Sequence, residues 1–452
     1  MKNLLVLIAF FIVSQARGQC IPNVDWSYAG AKEIIQTEDS PIINFKKVKS
    51  SYSADVSDDV VIKEIIAEYK GSQIIIYFPE GNYLFKEQIR LYSNMVLKGD
   101  GANSILTFEL EKERDCILAA GKGQQDTYYE IMPVAKGNST LTLKEAHDFQ
   151  EDELFYLIDE DDELADSYWA KGKTGQFVSV KASNGKKVEI LGACRRDFNR
   201  SSEKMTPRLV AIDLVDGAGV QNLKIVNNRA TEGQTSNIQF RYASNCFVRN
   251  VWSLDCNYSH VLMEFAVNCE VAYSSFEKAH NYGNGGKGYG VTLQFGTSNC
   301  LVADNFCNNL RHSFLLQAGA NGNVISFNSS RNPFWTNVRL PEDSAGDIVL
   351  HGNYVYANLI EWNQCHTIVV DKSHGANGPD NLFFNNNLIG YGIIVSRKSK
   401  GQAFVNNTIE PAKWPKGRYK VRGKHYEQYN TIGDKVIPRK SEKYTEKKSF
   451  FK

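Results

Sequence analysis

Eight phrases decide the architecture: "GVQNLKIVNN" (219–228), "CFVRNVWSLD" (246–255), "CEVAYSSFEK" (269–278), "CLVADNFCNN" (300–309), "NVISFNSS" (323–330), "NLIEWNQC" (358–365), "NLFFNNNL" (381–388) and "QAFVNNTI" (402–409). Aligned on Val220, Val248, Val271, Val302, Val324, Leu359, Leu382 and Ala403, they step by 28, 23, 31, 22, 35, 23 and 21 residues. A floor of 21 to 23 residues with occasional additions is the signature of a solenoid, each coil one unit and each addition a loop at a corner. Every phrase holds short alternating or fully apolar β runs broken by Asn, Gly or Ser, with no helical period between them. The connections are too short for crossover helices, so parallel strands can stack only by winding. Asn250, Asn305, Asn328, Asn363, Asn386 and Asn407 fall at corners, where Asn tolerates left-handed backbone and its amide can ladder between coils. The expected fold is all-β, a single-stranded right-handed parallel β-helix with an N-terminal capping helix.

Outward from these phrases, Ser57, Asp58 and Asp59 open a short amphipathic helix stopped by Gly71, suited to cover the open end of a solenoid. "IIIYFPEGNYLF" (74–85) and "IRLYSNMVLKGDGANSIL" (89–106) continue as β with Gly-rich corners. Between 128 and 207 the repeat phrase is lost, which marks an inserted β subdomain or long loops. Its acidic run Asp159 to Glu163 is read first as a solvated turn, with calcium as the alternative. The expected divisions are 1–18 as a signal peptide, 19–127 as cap and first coils, 128–207 as the insertion, 208–411 as main coils, and 412–452 as a C-terminal segment. Lys435 to Lys452 carries seven basic and two acidic residues and is expected to be poorly ordered.

Lys2, the apolar run Leu4 to Val13, and Ala16 and Gly18 at the small-residue positions of a cleavage site read as a secretory leader. Ten apolar residues are too few for a bilayer of about 30 Å, so the mature chain is expected to be secreted or periplasmic. Gln19 before Cys20 argues against lipid attachment. Fifty-two basic against 51 acidic side chains give +1, which removes the electrostatic case for nucleic acid or an anionic membrane. Nine cysteines, an odd number spread over 452 residues, are too sparse for a disulfide scaffold, and Cys246, Cys269 and Cys300 read as small buried side chains.

"FPEGNYLF", "LKGDGANSIL" and the Asn-Cys-x-Val coils resemble the pectate-lyase-like, right-handed parallel β-helix superfamily of secreted carbohydrate-active proteins. The first segment is similar to the rhamnogalacturonase and epimerase-like pectate lyase domain. "LRHSFLLQAGANGN", "DIVLHGNYVYANLIEWN" and "DKSHGANGPDN" resemble a secreted bacterial group with no single substrate. The resemblance implies a polysaccharide or oligosaccharide partner. It leaves the activity open among lyases, hydrolases, epimerases and binding proteins.

Side chains alternate across a strand, so outward positions of stacked strands form a column. Arg241, Glu264, Gln294, Gln317, His351 and Asp371 make one, flanked by inward Phe240, Met263, Leu293, Leu316, Leu350 and Val370. Such a polar column would floor a groove for an extended sugar chain. "KAHNYGNGGKGYG" would project His280, Tyr282, Lys287 and Tyr289 over it, Arg311 and His312 precede the strand to Gln317, and Trp335 lies in the 35-residue step. Tyr282 and Trp335 serve equally as loop packing or sugar platforms, while His374 beside His351 and Asp371 could orient a base or hold a metal. A polysaccharide lyase must neutralise a uronate carboxylate, for which Arg311 or Lys287 suffices, and remove the adjacent proton, for which His312, His351 or His280 is available. A glycoside hydrolase needs two carboxyl groups roughly 5 to 9.5 Å apart. Glu264 and Asp371 stand four coils and so roughly 19 Å apart, leaving Asp255 as a partner for Glu264. The lyase is therefore the first expectation, with a hydrolase or a non-catalytic glycan binder as alternatives, no required cofactor, and a monomer.

Overall fold

The computed structural model describes residues 20–32, 40–203, 205–283, 286–334, 346–410 and 418–451. The expected leader and Trp335 lie outside the described residues. Three parallel sheets run the length of a right-handed β-helix. The first stacks Ile74–Phe78, Met95–Gly99, Gly219–Asn227, Phe247–Cys256, Glu270–Ala272, Leu301–Ala303, Val324–Ser326, Leu359–Glu361, Leu382–Phe384, Ala403–Val405 and Tyr426–Gln428. The third, which matters for the site, stacks Ile238–Ser244, Ser259–Val267, Tyr289–Gln294, His312–Leu316, Ile348–Leu350, Gln364–Val370 and Asn387–Val395. One continuous core, running from Phe45 to Ile409, fills the prism they enclose. Among the described residues no helix is long and apolar enough to cross a membrane.

The helix Asp58–Glu68 closes the N-terminal end, pressing Val61, Ile62, Ile65 and Ile66 onto that core. Its two opening carboxylates are tied down rather than solvated. Asp58 accepts from the Leu84 amide at 2.7 Å and Asp59 from those of Lys86 and Glu87 at 3.1 and 3.0 Å, satisfying backbone donors on the neighbouring segment.

The phrase alignment needs one correction. Val220, Val248, Val271 and Val302 do pair in succession, but Val302 pairs with Ile325, which continues to Ile360, Phe383 and Phe404. Val324, Leu359, Leu382 and Ala403 are the adjacent outward row. They are apolar because the chain termini cover them: Trp26 and Phe450 lie on this face with Tyr444 beside them. With both rows apolar, alternation no longer distinguishes inside from outside.

The basic tail is likewise not loose. Arg418–Val421, Tyr426–Gln428 and Asn430–Ile432 form one further coil, Lys435–Ile437 turns back on it, and Phe450 packs edge-on against Phe384 with centroids 4.9 Å apart. Glu361 fixes the end by accepting from the Ser449 hydroxyl at 2.5 Å and the Phe450 amide at 2.9 Å.

Corners set the coil geometry. Tyr273, Asp304, Phe327, Trp362, Asn385 and Asn406 hold φ between 52° and 56° at the turn that follows each strand of the first sheet. The residue after each of the last five is a buried Asn, and Asn305, Asn328, Asn363, Asn386, Asn407 and Asn430 bond amide to amide from coil to coil. The ladder Asn therefore follows the left-handed residue instead of occupying it.

The lost repeat is a six-stranded antiparallel sheet in the order Gly123–Glu130, Arg208–Asp213, Leu154–Ile158, Gln176–Asn184, Lys187–Ile190, Thr140–Thr142. Its strand Leu154–Ile158 is apolar throughout because it is covered on both faces. Phe155 and Leu157 enter the insertion's own core, while Tyr156 and Ile158 pack against Phe265 and Val267 of the solenoid.

Candidate functional site: a polar column walled by the insertion

The column lies on the outward face of the third sheet. Arg241 pairs with Glu264 and Glu264 with Gln294, and the pairs Leu293–Leu316, Leu316–Leu350 and Leu350–Val370 carry Gln317, His351 and Asp371 into line. It is more enclosed than an open solvated floor: Glu264, Gln294 and Gln317 are 6–8% exposed and Asp371 is 2% exposed. The enclosure comes from the insertion. One residue beyond the column, Tyr242, Phe265 and Phe295 take left-handed backbone at the corner and present rings to it. Trp169 and Lys173 from the insertion lean on Phe295, at 6.1 Å between ring centroids and 3.9 Å from Nζ to ring.

The acidic run organises this wall. Asp161 accepts from the amides of Gly172, Lys173 and Thr174 at 2.7 to 3.1 Å, Asp159 pairs with Arg196 at 2.7 Å, and Glu160 takes the Ser202 hydroxyl at 2.6 Å. Glu160, Asp161 and Asp162 bring oxygens within 4.8 Å of one another, but protein donors engage them. The run is thus the frame of the loop that carries Trp169 and Lys173, rather than a solvated turn.

Two chemical centres occupy the column. At one end Glu264 accepts from Gln294 Nε2 at 2.6 Å and Gln239 Nε2 at 2.9 Å, with Arg241 Nε at 3.7 Å. Burial raises its pKa against those donors and against Arg241 and Lys173. Half-buried Asp115 feels the Glu264 charge, and burial first and that charge after it push its pKa up to about 6. Tyr258 and Gln317 continue the network through Gln294. At the other end His351 Nδ1 meets Asp371 Oδ2 at 2.5 Å, and Asp371 Oδ1 accepts from the Ser373 amide at 3.1 Å. His351 remains 14% exposed. His374 meets it edge-on at 4.8 Å and is itself bracketed by Trp169 at 5.3 Å and the Ser167 hydroxyl at 3.4 Å. Burial, then His351, lowers the His374 pKa. With Nδ1 held by a carboxylate, Nε2 of His351 is the nitrogen left to face a ligand.

The remaining expected site residues separate into those that reach the groove and those that do not. Arg311 is half-buried beside the glycine-rich loop, donating through Nη1 to Gly283 at 3.3 Å with its guanidinium 5.9 Å from the Tyr289 ring. His312 is fully buried beneath Tyr289, its ring stacked on the phenol at 4.9 Å and its Nδ1 donating to the Gly346 carbonyl at 2.8 Å. Burial, then Arg311, pushes its pKa well down. It therefore supports Tyr289 and has no access to a sugar. Lys287 is also buried, its ammonium spent on the Thr231 carbonyl at 2.8 Å, and His280 is exposed but bonded to the Asn227 carbonyl at 2.8 Å. Both fasten the glycine-rich loop to the segment 227–231. Tyr282 is loop packing: its hydroxyl bonds Asn309 at 2.6 Å and its ring stacks on Phe334 at 4.0 Å. Tyr289 belongs to an outer apolar row with Leu262, Leu315, Val349 and Val369. Asp255 lies at the end of the strand Phe247–Cys256, nine residues before Glu264, which itself stands five residues into the strand Ser259–Val267, so these two carboxylates are not paired.

Sequence reasoning missed Trp169, Lys173, Tyr258 and Asp115. The signal for the first two was "SYWAKGKTG" directly after the acidic run, an aromatic and a cation among small residues on a loop.

Fold and column together define a right-handed β-helix with a walled polar groove. Residues 51–130 match the family model described as rhamnogalacturonase A/epimerase, pectate lyase-like. No curated protein sequence matches it significantly. Among solved structures it is similar to the tailspike gp61 of Pseudomonas phage phi297, with TM-score 0.63 and 14% identity over 87% of this chain and 74% of that one. It is also similar to the tailspike gp49 of Pseudomonas phage LKA1, with TM-score 0.55 and 14% identity over 86% of this chain. The Gp54 tailspike of Acinetobacter baumannii bacteriophage AP22, solved in complex with A. baumannii capsular saccharide, gives TM-score 0.57 and 14% identity over 81%. The chain spans 60% of the LKA1 protein and 58% of the AP22 protein.

Proposed function

We propose that the protein is exported, binds an extended acidic polysaccharide along the column, and cleaves it by β-elimination. The observation that carries this reading is the His351–Asp371 couple, a partly exposed imidazole aligned by a buried carboxylate in the next coil. His351 Nε2 takes the proton next to the uronate carboxylate, the electron pair forms the new double bond, and the glycosidic carbon–oxygen bond breaks as the departing oxygen collects a proton. Arg311 supplies the positive charge that makes that proton acidic. The saccharide in the AP22 tailspike complex supports a glycan for this fold. Polysaccharide incubations, followed by ultraviolet absorbance of the unsaturated uronate together with reducing ends, test it. Chromophore with new ends is the expected result, and Arg311→Ala or His351→Ala lowers turnover by roughly two orders of magnitude.

One observation favours a second reading. Glu264 and Asp115 are both carboxyls with raised pKa in one electrostatic neighbourhood, as a general acid in a glycoside hydrolase must be. New reducing ends without chromophore, abolished in Glu264→Gln, would select it over the lyase.

A further inference from the structure

Arg195 and Arg196 are consecutive, equally deep, and differently partnered. Arg196 has Asp159 at 2.7 Å and the Phe198 ring 3.9 Å away. Arg195, 8% exposed, has no ion pair among the described residues: Nη1 donates to Asn321 Oδ1 at 2.8 Å and Nη2 donates to Asn299 Oδ1. Gly322, at φ +64°, makes the space for it, since a Cβ there would stand 2.2 Å from the guanidinium carbon. Burial works against charge on both arginines, and it brings Arg195 down to about 10 while Tyr356 and Asp159 hold Arg196 above its usual value. A buried cation matched only by neutral amides is costly to keep.

Arg195 also lines a cavity of about 250 Å³ between the insertion and the N-terminal segment. Lys136 lines it with Arg195, its ammonium shared with Asp380 at 2.7 Å. Asp25, Asn23 and Tyr28 line it too, and Asp25 Oδ1 accepts from the Ser27 amide and hydroxyl at 3.0 and 2.7 Å. We infer that this cavity is a second ligand site, for a hexuronic acid of monosaccharide size, whose carboxylate meets Arg195 and Lys136 and whose hydroxyls meet Asp25 and Asn23. Its volume lies below the roughly 300–1,000 Å³ of pockets for larger ligands, so a single ring fits and a chain does not. The carboxylate answers the two cations, and the hydroxyls answer the one acidic lining residue, which a bare inorganic anion would oppose.

Titration calorimetry with D-galacturonate, D-glucose and sulfate on the full chain tests the assignment. Galacturonate binds wild type and His351→Ala alike, with glucose and sulfate at least tenfold weaker. Arg195→Met, which replaces the charge with an apolar chain of similar length, weakens galacturonate at least about tenfold while melting at or above wild type. Should Arg195→Met fail to fold, Lys136→Gln serves in its place, with weakening of about threefold or more. Absence of galacturonate binding in wild type, equal binding of glucose or sulfate, binding lost in His351→Ala, or undiminished binding in the Arg195 or Lys136 variant would each overturn the site. The His351→Ala arm keeps this outcome separate from that of the groove.

Discussion

Asn363→Ala is the substitution whose cost can be worked most directly from the structure. The Asn363 Oδ1 accepts the Asn328 backbone amide at 3.1 Å and the Asn328 Nδ2 at 3.0 Å, and its own Nδ2 donates to the Ile325 carbonyl at 2.8 Å and to Asn386 Oδ1 at 3.0 Å. Truncation leaves the two Asn328 donors unpaired in the interior, while the Ile325 carbonyl stays within the strand ladder to Leu359–Glu361. Asn386 Oδ1 keeps the Asn363 amide at 3.1 Å. Two orphaned donors at about 1–3 kcal/mol each, relieved in part by any water that enters, give a loss of about 2–4 kcal/mol. Asn387→Ala, one coil on but at the surface, loses only an exposed bond to Glu410 at 2.9 Å and costs less than about 1 kcal/mol. Urea unfolding followed by circular dichroism measures both. Equal midpoints for the two variants would refute the claim that the buried amide ladder, rather than apolar stacking alone, holds the coils in register.

Three further outcomes follow. Between the ordinary carboxylate range and about pH 6 the folded chain keeps a proton on Asp115 that the unfolded chain has lost, so stability falls as pH rises through that window, by roughly 1–2 kcal/mol. Asp115→Asn flattens that slope, and denaturant titrations at pH 4 and 7 read it. All nine cysteines are free and only Cys20 is exposed, so a thiol reagent labels one cysteine quickly under native conditions and the rest only on unfolding. Trp169→Ala weakens polysaccharide binding about tenfold with little change in melting, whereas Tyr282→Ala lowers the melting point and leaves binding intact, since Trp169 edges the groove and Tyr282 is stacked on Phe334.

The coils and the column were legible because both depend on local period. A strand alternates its side chains and a coil repeats every 21 to 23 residues, so Arg241, Glu264, Gln294, Gln317, His351 and Asp371 fall into line from spacing alone. The same logic failed at Val324, Leu359, Leu382 and Ala403. There Trp26 and Phe450, remote in sequence, cover the outer row and make it as apolar as the inner one.

Which column residues meet solvent was decided by contacts that no period encodes. Phe265 and Phe295 sit on the solenoid and Tyr156 and Trp169 on the insertion, and only their packing closes the wall over Glu264. His312 and Lys287 looked like a base and a cation by residue type, yet one is stacked under Tyr289 and the other bonded to Thr231. Sequence thus determined the repeating backbone, because winding is a near-neighbour property. Burial, partners and proton affinity at the groove were decided by the tertiary structure, since each depends on which distant side chain excludes water from that spot.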